Sequence, residues 1–201
     1  MTPGIDYYLA PQSPWTYLGH QRLMAMAQAA GASVRVLPID LGRVFPVSGG
    51  LPLGRRAPQR QAYRLVELQR FASHLGIELV PQPQFFPVAA DDAARLIIAT
   101  DQAHGSADAL RLVGAILAAV WTQQRNIADH DTLAQLVQEQ GLAADLLGQA
   151  HGPTARQQYD ANTQEAIDAG VFGAPTYRIA GELFWGQDRL DFVERRLARG
   201  V

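Results

Sequence analysis

Residues 5–18 read IDYYLAPQSPWTYL: a short apolar strand, a turn, then Ser13-Pro14 at the start of a helix. Pro suits a first helical position, because the N–H it lacks would have had no partner there. Ser just before it is a good N-cap, since its hydroxyl can accept from a free N–H of the first turn. The junction also places a polar atom where the helix dipole favours negative charge. From these residues alone, Ser13 is either a cap or a functional hydroxyl.

A second stretch, residues 170–190, reads GVFGAPTYRIAGELFWGQDRL. Tyr177 and Ile179 alternate with Thr176 and Arg178, which predicts a strand. Gly181-Glu182 is expected as a two-residue hairpin loop with Gly first, in a type II′ turn. Residues 183–185 form the return strand. Asp188 is expected to cap a last helix carrying Leu190, Val193 and Leu197 on one stripe, with Asp191 completing a capping-box-like pattern. Pro175, directly before the strand, is a candidate cis-proline.

Strand, Ser-Pro helix start, then Ala-Pro-Thr, strand, hairpin and helix: this order resembles the thioredoxin fold. SPWTYL resembles the active-site helix start of the DsbA-like group, with Ser13 in place of the first redox cysteine. GVFGAPTY resembles that group's cis-proline loop, and FWGQDRLDFVERRL its C-terminal signature. The combination resembles 2-hydroxychromene-2-carboxylate isomerases and the related kappa-class glutathione transferases. The resemblance spans almost the whole chain and is strongest at its two ends.

The chain of 201 residues has a net charge of −2 and a pI near 6.2, so no global basic field invites nucleic acid. It has no cysteine. That excludes disulfides, thiolate metal sites and intrinsic thiol redox chemistry, so any thiol must come from a ligand. MTPGIDYYLA has no basic leader region. No apolar run approaches the ~18 residues of a membrane span, so a cytoplasmic location is expected.

The helix after Ser13 should run to about Ala30, with Trp15, Gly19, Leu23, Met26, Ala27 and Ala30 on one face. Gly19 can allow close packing against the sheet. Residues 34–39 are the second strand, parallel to the first. Residues 41–58 hold Gly42, Pro46, Gly49, Gly50, Pro52, Gly54 and Pro58 and are expected as one long loop at the ligand-binding end of the sheet. Residues 60–170 are helical in pattern, with an extended linker at 77–88 and a buried helix at 110–121. The fold expected is α/β, thioredoxin-like of DsbA type. Residues 1–58 and 170–201 make the thioredoxin-like part, and 59–169 a helical insertion.

Ser13 has no His or Asp close in sequence and no nucleophile elbow around it, so no general base is nominated. The other chemistry open to it is donation to a bound thiolate, which with a helix N-terminus lowers a thiol's pKa. The resemblance assigns that thiol to glutathione. It also implies that the backbone of Ala174 and Pro175 pairs with the glutathione cysteinyl segment like an added strand. The helix start at Gln187 and Asp188 would hold the γ-glutamyl end, with Asp188 meeting its ammonium. Arg60 falls where the family has a Lys, and its planar fork suits a carboxylate. Gly50 falls where the family has an Asn, so that amide is lost and Arg55, Arg56 or Gln59 would have to compensate.

Trp15, Tyr17, Trp121 and Trp185 read as core, with Trp15 and Trp185 also available to wall a substrate pocket beside Arg55 and Arg56. The five histidines are scattered, mostly as surface or helix-end residues, and none has metal-ligand spacing. The resemblance implies a glutathione-dependent isomerase acting on a small aromatic carboxylate in aromatic catabolism, as a homodimer. Two alternatives stay open: a kappa-like glutathione transferase or peroxidase, and a non-catalytic peptide-binding module in which Ser13 is only a cap.

Overall fold

The strand that leads to Ser13 is central in the sheet. In chain order the elements are β1 (Gly4–Leu9), α1 (Pro14–Ala29), β2 (Ser33–Pro38), α2 (Leu41–Ser48), α3 (Pro58–Leu75), α4 (Asp91–His104), α5 (Ser106–Trp121), α6 (His130–Glu139), α7 (Leu146–His151), α8 (Pro153–Asp168), β3 (Thr176–Ile179), β4 (Glu182–Trp185) and α9 (Leu190–Ala198). Single 3₁₀ turns sit at Leu53–Arg55 and Gln187–Arg189. The computed structural model describes residues 4–199. The outer ends of the expected thioredoxin segments, residues 1–3 and 200–201, lie outside the described residues.

The sheet order is β2-β1-β3-β4. β1 pairs in parallel with β2 and antiparallel with β3, and β3 with β4 forms the hairpin. Asp6 stands opposite Arg35 on one side and Arg178 on the other. Its carboxylate lies 2.8 Å from Arg35 and 3.7 Å from Arg178, and Glu165 of α8 takes a second bond from Arg35. Opposite charges at facing positions favour this register over a slipped one.

Alternation along β1 divides the core. Ile5, Tyr7 and Leu9 enter one cluster with Leu23, Ile97, Leu112 and Trp121, so the helical insertion shares a core with the sheet. Tyr8 enters a second cluster with Leu37, Ile39, Val44 and Ala166, which α2 and α8 cover. Residues of α5 from Leu110 to Trp121 are buried round most of the helix, as its all-round apolar pattern predicts.

α1 keeps Gly19, Leu23 and Ala27 buried, with Trp15 and Met26 half-buried and Ala30 exposed. A Cβ on Gly19 would lie 2.8 Å from the Tyr177 hydroxyl and 2.9 Å from Gln187 Cβ, so this helix crosses the sheet at a distance only glycine permits. The same helix buries His20, which is not the surface or helix-end residue expected of most histidines here. Its Nε2 lies 3.0 Å from the Leu110 carbonyl, which can only accept, so Nε2 carries the proton. Nδ1 then accepts from the Tyr7 hydroxyl at 3.3 Å. Burial pushes this imidazole down to about 4.

Two further expectations, one on either side of the chain's middle, are overturned here. Residues 41–48 are helix α2, not loop. Asp40 caps it by accepting from the Gly42 N–H at 2.7 Å, and Gly49 ends it at φ 76°. Pro46 forfeits one helical hydrogen bond, and burial of Val44 against Tyr8, Leu37 and Ile39 holds the helix in place. The hairpin loop is Ala180-Gly181, not Gly181-Glu182, because Ile179 pairs with Glu182. Both loop residues have positive φ, 48° and 85°, which makes a type I′ turn. No described helix is long and apolar enough to cross a membrane.

Candidate functional site

Ser13 is extended (φ −76°, ψ 124°) and sits at the α1 N-cap, 7% exposed. Its Oγ accepts from the Thr16 N–H at 3.2 Å. It also donates to the Ala174 carbonyl at 3.3 Å. Cap and contact across the fold therefore coexist, and the contact joins the two ends of the sequence. The Ala174–Pro175 peptide is cis, as the sequence led us to expect; Phe86–Pro87 is a second cis peptide that the sequence did not flag.

The first turn of α1 has few free donors. Pro14 has no N–H, Thr16 donates to Ser13 Oγ, and Tyr17 donates to the Ser13 carbonyl. The Trp15 N–H is left as the orphan of that turn. It belongs to the turn that Ser13 caps, at the positive end of a 16-residue helix. Together they make a small donor set suited to an anionic sulphur or oxygen.

The loop facing Ser13 is braced from behind. Thr176 Oγ1 donates to the Gly173 carbonyl at 2.7 Å, and the Gly186 N–H donates to the Pro175 carbonyl at 2.9 Å. A side chain on Gly173 would collide with the Trp185 indole. That ring is 52% exposed and packs on Phe172 with centroids 4.8 Å apart. Trp185 is thus not core: it stands open beside the Ala174–Pro175 loop. Trp15 is half-buried, edge-on to Phe71 of α3 at 6.0 Å.

Asp188 does not cap a helix. It lies inside the 3₁₀ turn Gln187–Arg189, which has Gly186 before it and no side-chain cap. The backbone needs Gly186 at φ 101° there, and α9 starts only at Leu190. The Asp188 carboxylate pairs instead with Arg189 at 2.7 Å and stays open to solvent. Leu190, Val193 and Leu197 are buried on one stripe of α9, as expected, while Asp191 lies near Arg195. Gln187 turns inward and is 1% exposed, its amide oxygen receiving Arg22 at 2.9 Å.

The arginines of residues 55–64 gather without acids. Arg56 donates from Nε to the Leu51 carbonyl at 2.8 Å, and burial and then Arg60 lower its pKa. Arg60 is exposed in the first turn of α3, and Arg55 is exposed in the preceding 3₁₀ turn. Arg64, one turn beyond Arg60, was not singled out by the sequence. Its guanidinium covers Phe86 at 5.1 Å and Trp121 at 5.9 Å. The signal for it was present: Arg56, Arg60 and Arg64 recur at helical spacing in a stretch without Asp or Glu. A Cβ on Gly50 would collide with the Phe45 ring, so that ring fills the space a longer residue would use.

Among the described residues no group of His, Cys, Asp and Glu could hold a metal ion. Residues 4–198 match the family described as the DsbA-like thioredoxin domain. A 2-hydroxychromene-2-carboxylate isomerase of Pseudomonas putida is 36% identical over 97% of this chain and 94% of that protein. One of Sphingobium xenophagum is 29% identical over 98% of this chain and 99% of that protein. A solved structure of 2-hydroxychromene-2-carboxylate isomerase superposes with a TM-score of 0.83 at 31% identity, covering 98% of this chain and 95% of that one. The chain therefore belongs to the DsbA-like thioredoxin family and, within it, to the 2-hydroxychromene-2-carboxylate isomerase family.

Proposed function

We propose that this protein is a glutathione-dependent isomerase of a small conjugated aromatic carboxylate. The observation that carries the reading is Ser13, a hydroxyl and not a thiol, poised at the α1 N-terminus against the Ala174 carbonyl. Relatives named as isomerases support the reaction class.

The residues fit glutathione at three points. Ser13 and the Trp15 N–H offer donors to a sulphur. Ala174 offers a carbonyl whose present partner is a rotatable hydroxyl. Asp188 is an exposed carboxylate held near the same loop by the 3₁₀ turn that follows β4. When bound, glutathione supplies a thiolate that adds reversibly to a conjugated double bond, which frees that bond to rotate.

The chain's own part is mostly positioning. Ser13 Oγ turns from the Ala174 carbonyl and donates to the sulphur. The bond it accepts from the Thr16 N–H polarises its own O–H and makes it a better donor. The vacated Ala174 carbonyl then accepts an amide N–H of the extended tripeptide. Asp188 holds the ammonium of the γ-glutamyl end, and Arg60 holds a carboxylate. Trp15 and Trp185 wall the site and keep water from the reacting carbons. We place the active protein in the cytoplasm as a homodimer.

Gly50, with the Phe45 ring in the space a longer side chain would use, favours a second reading, a kappa-like transferase of wider substrate range, because the amide that the resemblance expects there is absent. Assays of 2-hydroxychromene-2-carboxylate conversion with and without glutathione decide between them. The isomerase reading expects conversion only with glutathione. Equal conversion without it overturns glutathione dependence, and turnover of chlorodinitrobenzene but not of the chromene moves the assignment to the transferase.

A further inference from the structure

Residues 41–66 carry Arg43, Arg55, Arg56, Arg60 and Arg64 and no acid. Arg43 reaches Asp160 of α8. Arg64 meets no carboxylate among the described residues, and its Nη2 is buried without an acceptor. Burial and the charge of Arg56 lower its pKa to about 10. Trp121, the ring beneath it, also has a buried Nε1 N–H without an acceptor. Two donors without acceptors thus share one aromatic cluster, and buried donors in native proteins ordinarily have a partner.

The cluster opens outward and adjoins the Ser13 helix start. Arg64 and Phe86 are half-buried, while Trp121 is fully buried. The segment bearing Phe86 is tied to α1, since the Val88 N–H donates to Gln12 Oε1 at 3.2 Å and the Tyr17 hydroxyl donates to the Glu78 carbonyl at 2.8 Å. The Val80 N–H donates to the Trp121 carbonyl at 2.7 Å. Phe71, two turns beyond Arg64 on α3, meets Trp15. Arg64 therefore lies on the α3 side that packs towards α1.

We propose that Arg64, with Arg56 beside it, binds the carboxylate of a flat aromatic acid whose ring rests against Phe86, and so sets the enzyme's preference for acids over neutral aromatics. The inference deepens the isomerase reading and rests on it for the substrate's role. The physical argument is local. A guanidinium stacked on an aromatic ring leaves its N–H edge unpaired for a planar, two-pronged acceptor, which must enter the cluster to reach the buried Nη2. An apolar surround strengthens that pairing relative to water.

The test uses chromone-2-carboxylate, a flat acid with no bond to isomerise, and its methyl ester, titrated calorimetrically into the whole protein without glutathione. Wild type should bind the acid at least tenfold more tightly than the ester, and added salt should narrow the difference. Arg64→Met should lose at least tenfold for the acid and less than twofold for the ester, with glutathione affinity within twofold of wild type. Acid affinity within twofold of wild type, or equal loss of acid and ester, overturns the proposal by making Arg64 a packing residue. If Arg64→Met fails to fold, the wild-type comparison decides: equal affinity for acid and ester overturns the proposal. Absent glutathione binding in wild type would instead overturn the isomerase reading and leave the acid preference of Arg64 standing.

Discussion

The Ser13 hydroxyl donates to the carbonyl of Ala174 across 3.3 Å, joining residues 161 apart in the sequence. This bond closes the start of α1 against the loop before β3. A thiol ligand would enter between these two groups.

Asp188→Asn should separate binding from stability. The carboxylate is exposed and, among the described residues, pairs with its neighbour Arg189, and such pairs contribute about 0–1 kcal/mol. Melting should therefore stay within a few degrees of wild type. Glutathione affinity should fall at least tenfold by calorimetry, whereas glutathione lacking its α-amino group should bind both proteins alike. Unchanged glutathione affinity would move the γ-glutamyl site elsewhere.

Arg60→Met removes an exposed cation that no carboxylate among the described residues partners. Folding should be unaffected. The apparent KM for the carboxylated ligand should rise about three- to tenfold, the range of one partly screened charge pair. If every kinetic constant stays within twofold, Arg55 or Arg56 takes the role.

His20 predicts an acid-side loss of stability. In the unfolded chain an imidazole titrates near 6.5, while burial holds it at about 4 in the fold. Between those values the unfolded chain binds the extra proton, so stability is complete above pH 6.5 and falls as the pH drops towards 4. The loss reaches about 3 kcal/mol. Urea melts at pH 7, 5.5 and 4.5 should show it, and His20→Gln should flatten the slope. Parallel slopes in both proteins would remove His20 as the cause.

Ala180 occupies the first loop position of the hairpin at φ 48°, where a Cβ is unfavourable. Ala180→Gly should stabilise the fold by about 0.5–1 kcal/mol, raising melting by roughly 1–4 °C. A lower melting temperature would refute the strain at this turn.

Much of the frame was legible because its signals were local. Ser13-Pro14 marked one helix start, and the apolar residues of 110–121 marked the buried helix that α5 supplies. Helix α2 was hidden because seven glycines and prolines in residues 41–58 outweigh one Asp cap and one buried Val44. The hairpin slipped by one residue because Gly181 suits either turn position. Asp188 looked like a cap until the 3₁₀ turn displaced the helix start to Leu190. Trp185 and His20 exchanged expected environments through contacts that are far apart in sequence: Gly173 carries the exposed indole, and Tyr7 with Leu110 satisfies the buried imidazole. Arg64 acquires meaning only when Phe86 and Trp121 meet it.

The most direct test of the central claim is the pKa of glutathione's thiol when bound, read from its ultraviolet thiolate band against pH in wild type and Ser13→Ala. A hydrogen bond to a charged group is worth about 1.5–3 kcal/mol, or roughly one to two pH units. The wild-type complex should therefore titrate below free glutathione, and Ser13→Ala should move it up by about a unit or more. The lost cap should lower melting by only a few degrees. Turnover should fall about tenfold or more with it. An unchanged thiol pKa in Ser13→Ala would contradict the account and leave Ser13 as a helix cap.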